Sequence, residues 1–487
     1  MNRITLFFIA LVISSTSFFF STNFFNIWPL LWVATTPLLL YALSFDYKSS
    51  IALSVLAFFI GEFSVYQYFS IPISLPSMLI PMFIEAIIFS LIIVGTKFIF
   101  EKIGQWWVLF FPPLVMTALE FFISLISPNG TGDSLAYSQI DFTKFIQVSS
   151  ITGIYGITFL LFLFSSGVAF LIHFLFKKKK QQALFSFLIV FIFEGLNILY
   201  GTIKINNYNP KKSIHVAIIA SDKLTQMGHN KEKTNIVLNS YIEEIKKIVN
   251  KDINYVLLPE KIAVVTKEDE TKFSDLFSNV AKQYNIYIIV GIRRTRSFQV
   301  NYNSAWIFSP KGEFMGTYDK HHLVPGIETA IPEGGHFPNI IPGDKFFSWS
   351  HSGDIFSAAI CKDMDFQDMA THYGKENTKI MFVPTFDFVF DGWVHGRMAI
   401  MRAIEGGFSL VRAPMEGFLS VSDPFGRIIS QKTTSSDEDF TTLISGVPYG
   451  TGETFFARFG NWFSWLCAAL ALVMLIFGVV KKKSEFV

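Results

Sequence analysis

Three side chains in this 487-residue chain have the types needed to open an acyl bond: Glu260 ending the apolar run "VLLPE", Lys320 in "GTYDKHHLVPG", and Cys361 ending "SAAIC". A thiol attacks a carbonyl only as its thiolate, so it needs a base or a lowered pKa. A carboxylate in an apolar pocket can take that proton and return it. A lysine can hold first the thiolate and then the tetrahedral oxyanion by charge. The trio is therefore a complete nucleophilic set with no histidine required. Each member also has an inert reading. A free cysteine is among the most buried residue types, a strand-end glutamate ordinarily faces water, and a loop lysine is ordinarily a solvated charge. Composition and spacing alone do not bring the three together.

The elements that must position them lie between residues 213 and 450. Apolar runs at 213–220, 254–260, 286–292, 354–361 and 379–385 read as strands. "NSAWIFSP" and "EFMGTY" read as a hairpin around Lys311 and Gly312. Helical spacing covers 231–250, 272–285 and 393–406, the last ended by Gly406 and Gly407, and "DFQDMATHYG" reads as a helix closed by Gly374. "FSLVRA" and "FLSVSD" complete a β-rich end. Strands alternating with helices predict a layered α/β domain, with functional residues gathered at strand C-termini.

The rest of the chain is a different material. Over the whole chain hydrophobic residues make up 51%, charged residues only 16%, and phenylalanine alone occurs 56 times. A net charge of +2 gives no steering toward nucleic acid. About 20 apolar residues cross a bilayer. Seven such runs precede the α/β part, at about 4–22, 25–45, 50–71, 78–100, 106–127, 151–176 and 183–203, and an eighth follows at 461–480. The first lacks a small-residue cleavage site and leads directly into the next, which argues against a signal peptide. Basic residues fall on alternate loops: Arg3, Lys48, Lys97 with Lys102, "KKKK" at 177–180 and "KKK" at 481–483. The first and third loops have none, and the fifth (128–150) has only Lys144. By the positive-inside rule both termini are cytoplasmic and 204–460 lies on the other face. The expected domains are 1–205, 206–455 and 456–487. Only two cysteines occur, and Cys467 lies inside the last apolar run, so no disulfide framework is expected. No phosphate loop or zinc-type spacing appears, and no cofactor or metal is expected.

"LLPE", "YDKHHLVPG" and "AAIC", in this order, resemble the nitrilase, or carbon–nitrogen hydrolase, superfamily. Several spans before such a domain and one after it resemble the apolipoprotein N-acyltransferase family, as does "FIQVSSITGIYGITFLL" at 145–161. The resemblance covers nearly the whole chain. It implies a multi-span α-helical bundle of about eight helices plus an αββα sandwich in a bacterial inner membrane, with the sandwich in the periplasm. It implies Glu260 as general base, Lys320 as electrostatic stabiliser and Cys361 as nucleophile. Glu328 matches a second glutamate that the family places near the triad, the Lys362 N–H is an oxyanion donor by position, and Trp393 lines an acyl pocket. The implied reaction moves an acyl chain from a phospholipid, through a cysteine thioester, to the amine of a diacylglyceryl-cysteine lipoprotein. His395, Ala399 and Arg402 share one helix face, where scaffold hydrogen bonding is the expected role of the first and third.

The sequence departs from the family pattern in three places. Lys362 and Asp363 follow the cysteine where a tyrosine and a glutamate are common. Gly326-Ile327-Glu328 replaces Phe-Gly-Glu, and "DFVFDGW" (387–393) replaces an "NDAWF" type of stretch. These changes concern the acceptor and the donor, and "FDFVFDGW" has the composition of a lid or a lipid-dipping loop. A membrane-anchored amidase would use the same triad on a small amide, and a scaffold without activity would need no triad at all.

Overall fold

A computed structural model describes residues 2–22, 24–66, 75–228, 230–249, 252–297, 300–329, 339–387 and 393–481. It divides into two compact units. One contains Met1–Ser127, Asp133–Asn207 and Phe459–Val487; the other contains Pro128–Gly132 and Tyr208–Arg458.

The first unit is helical. Among the described residues seven helices are long and apolar enough to cross a membrane: Arg3–Ser21, Tyr47–Val65, Met78–Ile103, Trp106–Ile126, Tyr155–Phe176, Lys180–Asn206 and Trp462–Val480. The segment expected as the second span is instead a 17-residue apolar stretch, Trp28–Ser44, made of three pieces. Pro29 and Pro37 each lie in the first turn of a piece, where the missing N–H is tolerated but the preceding helix cannot run through. Large apolar side chains such as Phe8, Leu91, Phe191 and Val473 point outward, as a hydrocarbon solvent requires. Ser15 and Thr16 return their hydroxyls to the Leu11 and Val12 carbonyls, so these polar groups are satisfied within the helix. Most of the third loop (70–74) and the tail beyond Lys481 lie outside the described residues.

The second unit has thirteen strands in two sheets among the described residues: β1 (Ser213–Ala220), β2 (Tyr255–Leu257), β3 (Val264–Thr266), β4 (Tyr287–Ser297), β5 (Val300–Phe308), β6 (Phe314–Asp319), β7 (Ser348–His351), β8 (Asp354–Ala358), β9 (Thr378–Thr385), β10 (Ser409–Pro414), β11 (Phe418–Ser422), β12 (Ile428–Thr433) and β13 (Thr441–Pro448). The first sheet has the order β13-β1-β2-β4-β5-β6 with β3 beside β4; the second runs β12-β11-β10-β9-β8-β7. Parallel pairs sit in the middle of each sheet and antiparallel ones at the edges. The central strands read as unbroken apolar runs because both faces are covered.

One face of each sheet meets the other sheet. Tyr255 of β2 stacks on Phe382 of β9 with ring centroids 5.0 Å apart. The outer faces carry helices. Thr234–Ile248 places Val237, Leu238, Tyr241, Ile242, Ile245 and Ile248 along one stripe, and with Phe273, Phe277, Val280 and Ala281 of Glu270–Tyr284 they form a core against the first sheet. Gln367–Lys375 lies against β9, and Val394–Gly406 against β10. The latter helix stops at Gly407, whose φ of +80° suits a left-handed cap that glycine adopts without strain. The result is a helix–sheet–sheet–helix sandwich of nitrilase type.

Candidate active site

Glu260 lies three residues beyond β2, in a connection clamped to both sheets. The Leu258 N–H bonds to the Ile289 carbonyl in the first sheet, and the Glu260 N–H to the Thr385 carbonyl in the second. The facing residue in β4 is Gly291, whose N–H bonds to Pro259 O. A Cβ there would come within 2.3 Å of Pro259 O and 2.6 Å of Glu260 Cα. Glycine is required at 291 by the close approach of two backbones.

Lys320 follows β6 directly, and its N–H continues the ladder to Asn303 O of β5. Its ammonium lies 3.1 Å from Glu260 Oε1 and 2.9 Å from Glu328 Oε2. All three side chains are about 1% exposed. Two further residues complete this cluster. Asn303 donates through Nδ2 to Glu260 Oε1 and to Glu328 Oε1, the latter at 2.7 Å. Lys261 Nζ lies 2.8 Å from Glu328 Oε1 and 3.4 Å from Glu260 Oε1. Two carboxylates and two ammonium groups thus form a charge-balanced set, which a buried site demands. Burial opposes ionisation of Glu328, but Lys320 and Lys261 outweigh it and hold its carboxyl below the usual range. Burial likewise opposes the charge of Lys320, yet Glu260 and Glu328 keep it protonated well above the ordinary lysine value.

Cys361 corrects one expectation. The strand read as "DIFSAAIC" ends at Ala358, and Cys361 opens a 3₁₀ turn, Cys361–Asp365. The turn replaces the ladder because Asp363 folds back: its N–H bonds to Ile360 O at 3.0 Å, and its Oδ2 accepts the Ile360 N–H at 2.9 Å. Cys361 itself has φ of +46°, a left-handed conformation that costs a non-glycine residue energy and persists only where its surroundings hold it. Its Sγ contacts Phe386 O at 3.9 Å. Desolvation pushes the thiol well above its ordinary value, the Glu260 charge adds to this, and Lys320 pulls the other way. At neutral pH the resting sulfur is a thiol within the electrostatic reach of both charged partners. Among the described residues the Oε2 of Glu260 is buried with no hydrogen-bond partner, whereas Oε1 carries the contacts to Lys320 and Asn303.

Asp363 does more than end the strand. Its Oδ1 accepts the N–H groups of His321 (3.1 Å) and His322 (2.8 Å), and its Oδ2 also accepts the Tyr318 hydroxyl at 2.8 Å. It is fully buried and ties the cysteine turn to the loop bearing Lys320. Lys362 directs its ammonium to Asn129 Oδ1 at 2.9 Å and Asp365 Oδ2 at 3.6 Å. Trp393 packs its ring edge-on to Phe418, with centroids 6.0 Å apart. His395 Nδ1 is 3.8 Å from Asp365, and Arg402, fully buried, pairs with Glu405 at 3.0 Å. Residues 388–392 of the "FDFVFDGW" stretch lie outside the described residues.

The comparisons with known proteins divide along the same chain. Residues 219–448 match the carbon–nitrogen hydrolase model, and residues 14–167 match the apolipoprotein N-acyltransferase N-terminal domain. An apolipoprotein N-acyltransferase from Geobacter metallireducens is 23% identical over 385 residues, 74% of this chain and 72% of that protein. One from Pasteurella multocida is 25% identical over 409 residues, 77% and 75% of the two chains. The chain belongs to the apolipoprotein N-acyltransferase family.

Among solved structures, an amidase from Nesterenkonia sp. is 16% identical, with a TM-score of 0.40 over 48% of this chain and 90% of that one. A nitrilase-superfamily member from Saccharomyces cerevisiae is 19% identical, with a TM-score of 0.39 over 49% and 91%. Membership of the apolipoprotein N-acyltransferase family makes the chain a membrane acyltransferase with a carbon–nitrogen hydrolase domain. Within the site, sequence reasoning missed Asn303, Lys261 and the structural use of Asp363. A signal existed for Asn303, a lone amide in the apolar run "NSAWIF" of a central strand, where a buried polar group must have a partner.

Proposed function

We propose that the protein transfers an acyl chain from a membrane phospholipid to the N-terminal amine of a diacylglyceryl-cysteine lipoprotein, by way of a thioester on Cys361. The observation that carries the chemistry is the division of labour on Glu260. One oxygen is committed to Lys320 and Asn303, and the other, among the described residues, is buried without a donor, within the electrostatic reach of a thiol that burial keeps protonated. A carboxylate in that state is equipped to take the thiol proton.

In the first half-reaction Glu260 Oε2 takes the proton from Cys361 Sγ, and the thiolate adds to the ester carbonyl of the phospholipid. Lys320 and the Lys362 N–H meet the oxyanion. The intermediate collapses with cleavage of the ester C–O bond. The lysophospholipid oxygen leaves with the proton from Glu260, and the acyl group remains on sulfur. In the second half-reaction the lipoprotein amine adds to the thioester carbonyl and gives a proton to Glu260. Collapse breaks the C–S bond, forms the amide and returns that proton to Cys361. Water must be kept from the thioester, or the same machinery is a lipase.

Glu328 and Lys261 hold the charge of Lys320 and Glu260 in place, and Trp393 lines the acyl pocket. Alternation of basic residues over the short loops supports an inner-membrane protein with cytoplasmic termini and a periplasmic sandwich. The test is transfer of a labelled acyl chain from phospholipid to a diacylated lipopeptide by the purified full-length protein. Transfer by the wild type and none by Cys361→Ser is expected. Equal transfer by both, or release of free fatty acid only, overturns the proposal.

A further inference from the structure

The strip Pro128–Gly132 belongs to the α/β unit, although the chain on both sides of it belongs to the helical unit. Within the α/β unit it is built onto the cysteine turn at three successive residues. Asn129 Oδ1 accepts the Lys362 ammonium at 2.9 Å. Gly130 sits at φ of +56°, and a Cβ there would come within 2.7 Å of Asp365 O and 2.9 Å of the Phe366 ring. Thr131 donates to Asp365 O twice, from its N–H at 3.1 Å and from its hydroxyl at 2.8 Å. The strip is closed by a bond from the Gly132 N–H to Asn129 O at 2.9 Å. Lys362 is 6% exposed. An ammonium so buried must be paired, and Asn129 is its shortest contact.

From this geometry we propose that Pro128–Gly132 is a positioning element of the active site, and that Asn129 fixes Lys362 so that its backbone N–H points at the developing oxyanion. The inference rests on the acyl-transfer reading above for the role of that N–H. The turn leaves Cys361 in a strained left-handed conformation, so something must hold it from both ends. Asp363 holds it toward the Lys320 loop. The strip holds the opposite side, at Lys362 and Asp365. Releasing Lys362 frees the peptide that carries the oxyanion donor. Misplacing such a group by about 1 Å costs on the order of a hundredfold in rate. Asn129 is thus a positioning residue that acts through Lys362.

The experiment measures the pre-steady-state burst of Cys361 acylation in the full-length protein, once with phospholipid and once with a long-chain p-nitrophenyl ester. Asn129→Ala is expected to slow acylation in both arms by about tenfold to a hundredfold, with KM for either donor within about twofold. Asn129→Asp, which still accepts from the ammonium, is expected to recover to within about threefold of wild type. Gly130→Ala is expected to slow acylation like Asn129→Ala. Wild-type acylation rates in Asn129→Ala overturn the proposal. So does a loss shared equally by Asn129→Ala and Asn129→Asp, or one expressed only in KM. If the wild type acylates from the p-nitrophenyl ester but not from phospholipid, the donor assignment falls, and the ester arm still decides on Asn129.

Discussion

The Asp363 carboxylate accepts the backbone N–H of His322 at 2.8 Å, and so joins the turn that begins at Cys361 to the loop that begins at Lys320. The two oxygens of Asp363 take three further donors: the His321 N–H, the Ile360 N–H and the Tyr318 hydroxyl. Cys361 and Lys320 are therefore set at their separation by one buried side chain. Removing it with Asp363→Ala leaves those four donors without an acceptor, each costing roughly 1–3 kcal/mol. Amide exchange at His321 and His322 is expected to quicken by about a hundredfold or more. Unchanged exchange would mean that the loop is held by other contacts.

Backbone proximity sets the position of Glu260. Gly291→Ala introduces a methyl where Pro259 O and Glu260 Cα already stand, so the loop bearing Glu260 must move. No charge changes, and β4 keeps its neighbours. The expected result is a fall in kcat of about a hundredfold with little change in KM, read from initial rates of acyl transfer. A variant with wild-type kcat would show that the glutamate tolerates displacement.

Glu260 and Lys320 act on the thiol with opposite sign. Glu260 raises the Cys361 pKa and Lys320 lowers it, both on top of the larger effect of desolvation. At a fixed pH near 8, Glu260→Gln is expected to speed alkylation of Cys361 by iodoacetamide, because the thiolate fraction rises. The same substitution is expected to slow acylation by about a hundredfold to ten-thousandfold, because the proposed base is gone. Lys320→Met is expected to slow both. Alkylation rates that move in the same direction in the two variants would contradict the electrostatic account.

Glu328 gives the site an acid limit. Its folded-state carboxyl sits below the ordinary 4.5, since Lys320 and Lys261 outweigh burial. A depressed value means that its contribution to stability is fully present above about 4.5 and is lost as pH falls through the lower folded value. The stability gap between wild type and Glu328→Gln, read by chemical unfolding, is expected to be constant from about pH 7 to 5 and to narrow below 4.5. A gap that holds steady down to pH 3 would show that Glu328 is not paired in the folded protein.

Much of the site was legible because it lies at the ends of apolar runs. "VLLPE" and "GTYDK" carry Glu260 and Lys320 just past strands, and strand periodicity survives in sequence when both faces of a sheet are buried. The helices Thr234–Ile248 and Val394–Gly406 were legible from their spacing and, for the second, from its closing glycines. What was hidden depends on contacts distant in the chain. Asn303 bridges two glutamates 43 and 25 residues away. Lys261 reads as a bland loop charge until its pairing with Glu328 is seen. Asp363 reads as a departure at the substrate pocket, yet its carboxylate is consumed by four protein donors. The strand end at Ala358 was masked because "AIC" is as apolar as the strand before it. The break in the second span was foreshadowed by Pro29 and Pro37, which a hydropathy count does not weigh.

The central claim is that Cys361 carries the acyl chain between two lipid substrates. Intact mass measurement of the full-length protein after incubation with phospholipid alone tests it most directly, followed by addition of a diacylated lipopeptide. The account predicts a mass increase of one acyl group, located on Cys361 and lost on mild hydroxylamine treatment. Lipopeptide should then discharge it with formation of triacylated product, faster than water does. An unmodified Cys361 in active protein, or an acyl group that lipopeptide leaves in place, would contradict it.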